Sequence, residues 1–442
     1  MTLSSKEAIS NVTSEHSSGG LFEQAQLYTP GGVNSAARAL NPMTVWRDAQ
    51  GCKLYDFDGK EYIDYHAAFG PIVLGHNFSR VNEEVVKALT SVDLVGFGTT
   101  EGEIRLAAKI CEHVPCAESV LLCVTGSEAT FHTVRLARAV TGRKKLIKFQ
   151  GCFHGSNDYL CMNVISPVEK LGQYDPCSAG ILDEAMRHTI VLNFNRIQEV
   201  EDTLRRERDQ IAAIILEPIP HNIGCVLPKI EFLRGLRELA DLHGVILIFD
   251  EVITGFRHDL GGYQKICGIT PDLTTLAKSM ANGFPIAAVC GKKHLMERYQ
   301  TGGGDVFFAG TYNGHPVGVG AAEATIRILE EGTVHEWLFQ MGEMLARELG
   351  ALMERYGIRG HVAHFGSVVV PYFLDPPIEN YTDLLRNDTA LDLRFRREMI
   401  KRGIFMLPVA LKRNHITASH TKQDVARTLN VAEDVLRAMA KG

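Results

Sequence analysis

The chain has 442 residues, of which 45% are hydrophobic and 22% are charged, and its formal net charge is −6. This composition is typical of a globular protein with two or three domains, or with one large domain and a smaller one attached. The mild acidity gives no electrostatic reason to expect nucleic acid or an anionic membrane as a partner, and no apolar run approaches the roughly 20 residues of a membrane helix. The polar start, 1-MTLSSKEAISNVTSEHSSGG-20, lacks a signal-peptide core, so we expect a partly disordered arm on a cytoplasmic protein.

The ten cysteines are scattered and form no CxxC pair. Several lie in apolar runs, as in 119-SVLLCV-124. In a chain of this length and class, that pattern favours free buried thiols over a disulfide framework. It also argues against a cysteine-based zinc site, and we expect no metal.

The first half of the chain predicts a hairpin followed by alternating helices and strands. Residues 52–75 are typical of two short strands, with Asp58 and Gly59 at the turn between them. Helical patterns follow at 82–92 and 103–114. Short apolar runs then recur at 119–124, 145–149, 211–218, 245–251 and 286–291. Apolar runs between helices indicate parallel strands that are covered on both faces.

Beyond about residue 315 the pattern is mostly helical, with helices at 316–332, 334–357 and 421–440 and a strand at 366–372. We therefore expect an α/β protein whose large domain, residues 76–320, has a mainly parallel central sheet. A smaller α+β domain is expected from both chain ends, residues 1–75 with the N-terminal arm and residues 321–442.

Ligands of open parallel sheets bind beyond the carboxyl ends of the strands, so the residues after each apolar run are the candidates for a site. Gly126 and Ser127 follow 119–124, where free backbone N–H groups of the next helix can hold an anion; an ordinary turn with Ser127 as N-cap is the alternative. Asp250 ends the apolar run 245-VILIFD-250 and needs a partner. That partner could be the next helix, Arg257 or a cationic ring nitrogen of a cofactor.

Two further strand ends carry chemically useful side chains. Phe153 and His154 lie in the glycine-flanked loop 151-GCFHG-155, which suits an aromatic cover over a flat ligand, although aromatic anchors in loops are also common in cores. Lys278 follows 271-PDLTTLA-277. A desolvated lysine has a depressed pKa and becomes a nucleophilic amine, whereas a lone lysine more often reaches the surface. An anion turn, a buried carboxylate, an aromatic cover and a lysine together are the parts that hold pyridoxal 5′-phosphate.

These residues stand in motifs that resemble the class III (ω-type) pyridoxal-phosphate aminotransferases, and within them the glutamate-1-semialdehyde aminomutase branch. The resemblance runs from about Pro30 to Ala440. The matching segments are 30-PGGVNSAAR-38, 51-GCKLYDFDGKEYIDY-65, 70-GPIVLGH-76, 126-GSEAT-130, 135-RLARAVTGRKKLIKFQGCFHG-155, 217-EPIPHN-222, 249-FDEVITGFR-257, 276-LAKSMANGFP-285 and 309-AGTYNGHP-316.

The resemblance implies fold type I and a homodimer with active sites at the subunit interface. It implies Lys278 as the Schiff-base lysine and proton shuttle, with Asp250 as the partner of the pyridinium nitrogen. The remaining cofactor contacts implied are Phe153 with His154 and Val252 at the ring faces, Asn222 near the phenolic oxygen, Gly126 and Ser127 at the phosphate, and Thr311 at the phosphate of the neighbouring subunit. Ser35 and Arg38 would meet the anionic group of a small amine or amino acid substrate.

Three departures from the aminomutase pattern concern the substrate. Residues 156–184 are not Gly/Ser-rich where the aminomutase has its gating loop, and Phe69 replaces a tryptophan. Lys412, in 408-PVALKRNH-415, stands where the aminomutase has a glutamate. A change from negative to positive charge favours an anion over a second amino group. The sequence therefore predicts an aminotransferase acting on an anionic amine, anchored by Arg38 or Lys412. An aminomutase, an ammonia-lyase acting for instance on an aminophosphonate, and a non-catalytic cofactor-binding homologue stay open.

Overall fold

The computed structural model describes residues 17–41 and 43–441, so most of the predicted N-terminal arm, residues 1–16, lies outside the described residues. Within the described part, the strands are β1 (Trp46–Gln50), β2 (Lys53–Asp56), β3 (Glu61–Asp64), β4 (Ser119–Cys123), β5 (Lys145–Phe149), β6 (Thr189–Leu192), β7 (Ile211–Leu216), β8 (Ile246–Asp250), β9 (Leu273–Leu276), β10 (Ala287–Gly291), β11 (His361–Phe365), β12 (Val368–Tyr372), β13 (Ile404–Phe405) and β14 (Asn414–His415).

The central sheet has the order β4-β10-β9-β8-β7-β5-β6 over the described residues. The pairs from β9 through β6 are parallel, and β10 runs antiparallel to both of its neighbours. Strands β7 and β8 are buried along their whole length, as expected for a parallel sheet covered on both faces. The predicted α/β class with a mainly parallel sheet, the architecture of fold type I, is confirmed.

The α-helices include those predicted from the sequence at 82–92, 103–114, 316–332, 334–357 and 421–440. Their bounds are Ser18–Tyr28, Ser79–Ser91, Glu101–His113, Gly126–Thr141, Asp183–Met186, Ile197–Glu207, Ile230–His243, Gly262–Cys267, Lys293–Met296, Pro316–Glu330, Thr333–Arg355, Tyr381–Leu384, Thr389–Lys401 and Lys422–Met439. The helix Pro316–Glu330 packs on the helices Ser79–Ser91 and Glu101–His113, and its inner face is buried in the largest apolar cluster.

Both chain ends contribute the remaining sheets. The predicted hairpin is present as β2 and β3, with Gly59 at φ 86° in the turn, a conformation that favours glycine. Strand β1 extends this sheet on one side, and β13 joins it from the C-terminal part in a parallel pairing. A second small sheet has the order β11-β12-β14. The domain boundaries at residues 76 and 320 stay a prediction.

Other expectations meet the structure at single positions. Strand β6 was missed, because the run 189-TIVL-192 is short. The cysteines described as free include all ten positions of the sequence, in agreement with the absence of a predicted disulfide framework. Along residues 17–41 and 43–441, no helix is both long and apolar enough to span a bilayer.

Candidate active site

One cavity of about 950 Å³ lies beyond the carboxyl ends of the central strands. Strand β7 delivers Glu217 to its wall, β8 delivers Asp250, and Lys278 follows β9 by two residues. The helix that follows β4 contributes its first two residues, Gly126 and Ser127. Most of the remaining lining comes from segments outside the central sheet, from both the N-terminal and the C-terminal parts of the chain and from residues 164–177.

Lys278 adopts a left-handed backbone conformation, with φ at 47°, directly after an extended residue. This conformation is costly for a residue with a side chain and persists where the surroundings impose it, often at functional sites. Burial, and after it the positive charge of Arg413, lower the pKa of the Lys278 ammonium to about 7. The negative charges of Glu217 and Asp250 oppose this shift. The amine at the cavity wall is therefore available as a nucleophile near neutral pH.

Asp250 is held by three donors. Oδ2 lies 2.7 Å from His154 Nδ1, and Oδ1 accepts from the Thr275 hydroxyl at 3.0 Å and from the Val252 backbone N–H at 3.1 Å. The alternative pairing of Asp250 with Arg257 is wrong. The Arg257 guanidinium donates instead to Ser367 Oγ at 2.9 Å, to the Ile72 carbonyl at 3.1 Å and to the Gly70 carbonyl.

The helix Gly126–Thr141 points its N-terminus at the cavity. Its N-cap is Thr125, whose side chain accepts from the Glu128 backbone while the Glu128 carboxylate accepts from the Thr125 backbone. The expectation that Ser127 is the N-cap is therefore wrong, since Ser127 lies inside the first turn. Ser127 Oγ accepts from the Ser156 N–H at 3.3 Å, which ties the helix to the loop after β5.

Gly126 lies against Val252. A Cβ at position 126 would approach Val252 Cγ2 to 3.0 Å, so the close contact favours glycine. The exposed N–H groups at this helix start, together with the helix dipole, are suited to an anion.

The loop after β5 brings Phe153 and His154 to the cavity, as the sequence predicts. The Phe153 side chain is 44% exposed, and its backbone N–H donates to Glu217 Oε1 at 2.8 Å. The Thr130 hydroxyl donates to the His154 carbonyl at 2.7 Å. Burial lowers the pKa of His154 despite the opposing effect of Asp250, so the imidazole is neutral and Nδ1 donates.

Glu217 lines the cavity but is not among the site residues predicted from the sequence. The carboxylate accepts from the backbone N–H groups of Phe153 and His221, the latter at 3.1 Å. Burial raises its pKa to about 7, with Asp250 as the next cause. Glu217 follows the apolar run 211-IAAIIL-216 as directly as Asp250 follows its own strand, so the same signal was available.

Two neighbouring cations, Lys412 and Arg413, both line the cavity. Lys412 Nζ donates to the carbonyl of Asn222 at 2.7 Å and to its Oδ1 at 3.1 Å. Arg413 donates to the carbonyls of His221 at 2.8 Å and Phe69 at 2.9 Å. Among the described residues neither forms a salt bridge with a carboxylate. Burial, which is the largest cause, lowers the pKa of Lys412 to about 7 and that of Arg413 to about 10.

The turn Ala67–Phe69 places Phe69 and its carbonyl at the cavity. Ala67, Ala68 and Phe69 all have positive φ, between 48° and 67°, and Gly70 follows at 102°. Oδ1 of Asp64 accepts from the N–H groups of His66 and Ala67 at the start of the turn. Arg413 and Arg257 bind carbonyls at its end, so buried charges stabilise an otherwise unfavourable backbone.

Of the predicted residues Ser35, Arg38 and Thr311, only Ser35 lines the large cavity. Ser35 lines the cavity, whereas the Arg38 side chain is exposed and is absent from the lining, so a substrate contact of Arg38 stays a prediction. Thr311 lies along a separate cleft of about 240 Å³ together with residues 93–98, so its assigned contact with a neighbouring subunit is untested within one chain.

The donor set of the large cavity fits pyridoxal phosphate. Among the described residues no cationic side chain binds the Asp250 carboxylate, and its neighbour His154 is neutral, which leaves the carboxylate suited to a ring N–H⁺. The buried Nδ2 of Asn222 has no acceptor among the described residues, and a ring oxygen of the cofactor would supply one. The helix start at Gly126 suits the phosphate, and Val252 and Phe153 offer apolar surface to a flat ring.

Comparison with known proteins agrees with this fit. The family model for aminotransferase class-III matches residues 34–410. A curated glutamate-1-semialdehyde 2,1-aminomutase from Syntrophomonas wolfei is 38% identical over 94% of this chain and 97% of the relative. One from Hyperthermus butylicus is 41% identical over 92% and 96%. The crystal structure of an omega-transaminase from Sphaerobacter thermophilus superposes with a TM-score of 0.90 at 29% identity, covering 96% of this chain and 98% of the other.

These matches span nearly the whole chain in both sequence and fold. The names of the curated relatives favour the aminomutase alternative over the broader aminotransferase prediction. The chain belongs to the class III aminotransferase family, whose cofactor is pyridoxal phosphate.

Proposed function

We propose that this protein moves an amino group on a small amine that also carries an anionic group. The observation that carries the proposal is the pair Lys412 and Arg413, two basic side chains in the cavity that form no salt bridge with a carboxylate of the described residues. Isolated buried cations are costly, and an anionic ligand offsets that cost. When bound, pyridoxal phosphate supplies the electron sink for the electron pair that remains when the amine-bearing carbon loses a proton.

We assign the roles of the chain's own residues from their positions in the cavity. Lys278 would hold the cofactor through its side-chain amine and would move the proton from the amine-bearing carbon of the substrate. Asp250 keeps the ring nitrogen protonated, and His154 fixes the orientation of that carboxylate. Gly126 and Ser127 bind the phosphate, and Phe153 and Val252 enclose the ring. Asn222 binds the ring oxygen and also positions Lys412.

The first candidate reaction is an intramolecular amino shift of the glutamate-1-semialdehyde type. It is supported by curated aminomutases at 38% and 41% identity over more than nine-tenths of both chains. The test incubates purified holoenzyme with glutamate-1-semialdehyde and no second carbonyl compound. The proposal expects the isomer with the amino group moved from carbon 2 to carbon 1. If substrate in large molar excess over the enzyme is not converted to this isomer, this candidate is excluded.

The second candidate is transfer to a separate carbonyl acceptor, favoured by Lys412 at the cavity wall and by the fold similarity to an omega-transaminase. A panel of amino acids, β-amino acids and aminophosphonates, each with and without a keto acid, separates the reactions. Transamination requires the keto acid and consumes it in equal amount with the amine. Ammonia released without any acceptor would instead identify an ammonia-lyase.

The anion anchor is tested on whichever substrate that panel identifies. Lys412→Met should raise KM for the anionic substrate about tenfold or more while leaving the bound cofactor in place. Arg38→Ala tests the competing anchor, and Lys144→Met, an exposed lysine away from the cavity, is the control. Unchanged kinetics in both Lys412→Met and Arg38→Ala would defeat the assignment of these two residues.

We further propose that the protein is a homodimer in which Thr311 binds the phosphate held by the partner subunit. The cleft around Thr311 includes Phe97, which is 90% exposed, and Tyr312 beside it is 61% exposed. Apolar side chains exposed to this extent indicate a surface that is covered by another protein chain.

Mixing two inactive variants tests this assignment. Lys278→Ala and Thr311→Arg each lack activity on their own. In a mixed dimer, the Thr311→Arg subunit retains Lys278 and receives an intact Thr311 from the other subunit, so mixing should restore up to half of the activity per mixed dimer. Failure to restore activity in dimers shown to exchange subunits would place Thr311 in its own site.

A cytoplasmic location is proposed as well, and fractionation of cells that express the protein would test it.

A further inference from the structure

Two thiols face each other across a short antiparallel bridge at the edge of the cavity. Met162 pairs with Pro176 in this bridge, which sets Cys161 directly opposite Cys177. The Cys177 N–H donates to the Cys161 carbonyl at 3.0 Å. We propose that Cys161 and Cys177 form a reversible disulfide, a redox modification site that closes a covalent loop at the mouth of the active site.

The backbone geometry suits this bond. Directly opposed residues joined by a backbone hydrogen bond in an antiparallel pair have Cα atoms about 5.5 Å apart, which lies within the usual range for disulfides. The pKa of the Cys177 thiol is raised to about 11. Burial is the largest cause, and the interaction with the Cys161 thiol is the next. This interaction agrees with the opposed positions that the backbone pairing gives the two residues.

The register of the pair is fixed by polar contacts on both segments. The Asn163 N–H donates to the Asp175 carbonyl at 2.8 Å, and Asn163 Nδ2 donates to the Gln173 carbonyl at 2.8 Å. Behind them, the fully buried Lys148 donates to the carbonyls of Leu160 at 3.1 Å and Met162. These hydrogen bonds therefore hold the two segments, and with them Cys161 and Cys177, in a fixed register.

Lys148 also bears on the reactivity of the thiols. Its ammonium has no carboxylate among its hydrogen-bond partners in the described chain, and it limits the rise in the pKa of Cys177 that burial and Cys161 cause. Cys177 is exposed and Cys161 is half-buried, so a small oxidant reaches Cys177 first. The other cysteine near Lys148, Cys152, is fully buried.

The chemistry requires a two-electron oxidant, for which a small-molecule disulfide such as oxidised glutathione serves. The Cys177 thiol loses its proton to solvent and attacks one sulfur, forming a mixed disulfide and releasing one glutathione thiolate. Cys161 then loses its proton and attacks Cys177 Sγ, which releases the second glutathione thiolate. One protein disulfide forms, and the oxidant is reduced to two thiols.

Closing this loop alters access to the active site. Val164, Ile165, Pro167, Asp175, Pro176 and Cys177 all line the cavity. A disulfide between residues 161 and 177 restricts the segment that carries the first five of these side chains. Intracellular disulfides are rare and, where present, are mostly transient and redox-sensing, which is the behaviour proposed for this pair.

Peptide mapping of the oxidised holoenzyme tests the bond. Lys170 is the single trypsin site between the two cysteines, so the disulfide links peptide 149–170 to peptide 171–187. The proposal expects this linked pair after treatment with oxidised glutathione, with fragment ions that assign the link to Cys161 rather than Cys152, and its loss after thiol reduction. Cys161→Ser and Cys177→Ser should abolish the linked pair. Cys267→Ser, a half-buried thiol away from the cavity, should keep it.

The effect on the cavity mouth is measured by hydrogen exchange on the same samples. Amides of residues 164–175 should exchange about tenfold more slowly, or slower still, in oxidised than in reduced wild type, with no change in Cys161→Ser. A stable mixed disulfide at Cys177 without the link would overturn the proposed bond. A link that leaves the exchange of residues 164–175 unchanged would overturn its effect on the cavity. Neither measurement depends on the catalysed reaction.

Discussion

The imidazole of His154 donates through Nδ1 to Oδ2 of Asp250 across 2.7 Å in the buried wall of the cavity. Burial lowers the pKa of the imidazole, so it stays neutral beside the carboxylate. The buried Nε2 atom has no partner among the described residues. A neutral donor orients Asp250 without cancelling its charge, and the negative charge stays available to a protonated ring nitrogen.

The substitution Asp250→Asn removes that charge while keeping the shape of the side chain. We expect kcat to fall about 100-fold or more, because the ring nitrogen then has no anionic partner in a buried site. Thr275→Val deletes only the 3.0 Å hydrogen bond to Oδ1 and should reduce kcat less than tenfold, since one neutral hydrogen bond contributes about 1 kcal/mol. Steady-state kinetics on both variants, with bound cofactor quantified, provide the comparison. Equal losses would show that orientation, not charge, is what Asp250 supplies.

Covalent binding of the cofactor should distinguish two similar lysines. Lys278 and Lys412 both line the cavity, and burial lowers the pKa of each to about 7. We expect borohydride reduction of the holoenzyme to leave the pyridoxyl group on Lys278, which follows the strand next to the one that ends in Asp250. Mass spectrometry of the tryptic peptides locates the label. Lys412→Met should keep it and Lys278→Ala should lose it; a label on Lys412 would reverse the assignment.

Much of this site could be predicted from sequence because its central groups follow strands directly. Asp250 and Lys278 stand at the ends of apolar runs, and a parallel sheet brings such ends to one edge. The N-cap of the next helix was also readable, since 125-TGSE-128 has the spacing of a capping box, and naming Ser127 overlooked it.

The substrate side of the cavity could not be predicted in the same way. Arg413 lies next to the predicted Lys412, yet its direction depends on the carbonyls of His221 and Phe69, which are 192 and 344 residues away in the chain. The left-handed turn Ala67–Phe69 is not predictable from its own residues, because alanine and phenylalanine disfavour positive φ and the arginines that bind the carbonyls at its end are distant in the chain. Tertiary contacts, not local pattern, decide these positions.

Lys412 should give a stability difference that depends on pH. Its folded pKa of about 7 lies below the unfolded value of about 10.4. Below pH 7 the ammonium is charged in both states and the folded protein bears the full desolvation cost. Between these values the folded state has released the proton while the unfolded state still holds it, so the cost falls by at most about 1.4 kcal/mol per pH unit. Lys412→Met should therefore stabilise the holoenzyme more at about pH 6 than at about pH 9.

Thermal unfolding at the two pH values measures this difference, with Lys144→Met as the exposed control. The control should shift the midpoint equally at both. A stabilisation by Lys412→Met that grows with pH would mean that the ammonium is better solvated in the folded protein than its burial implies.

Gly70→Ala should displace Arg413, one of the two basic side chains proposed to bind the anionic group, because Gly70 packs against the His415 ring that Arg413 contacts. Gly70 has φ at 102°, and a Cβ there would lie 2.8 Å from Nε2 of His415, the atom that accepts from Arg413 Nε at 3.1 Å. Backbone strain and the clash together should lower the stability by about 3 kcal/mol. Because the ring of His415 must shift, Arg413 loses a partner, and KM for an anionic substrate should rise.

Gly59→Ala is the matched control, because Gly59 has φ at 86° and a Cβ there meets nothing within 4 Å. It should cost only the strain of the left-handed backbone, about 1 kcal/mol, and leave KM unchanged. Thermal unfolding and kinetics of both variants separate strain from displacement of the anchor. If Gly70→Ala were no worse than Gly59→Ala in stability and KM, His415 would not be the link between the turn and Arg413.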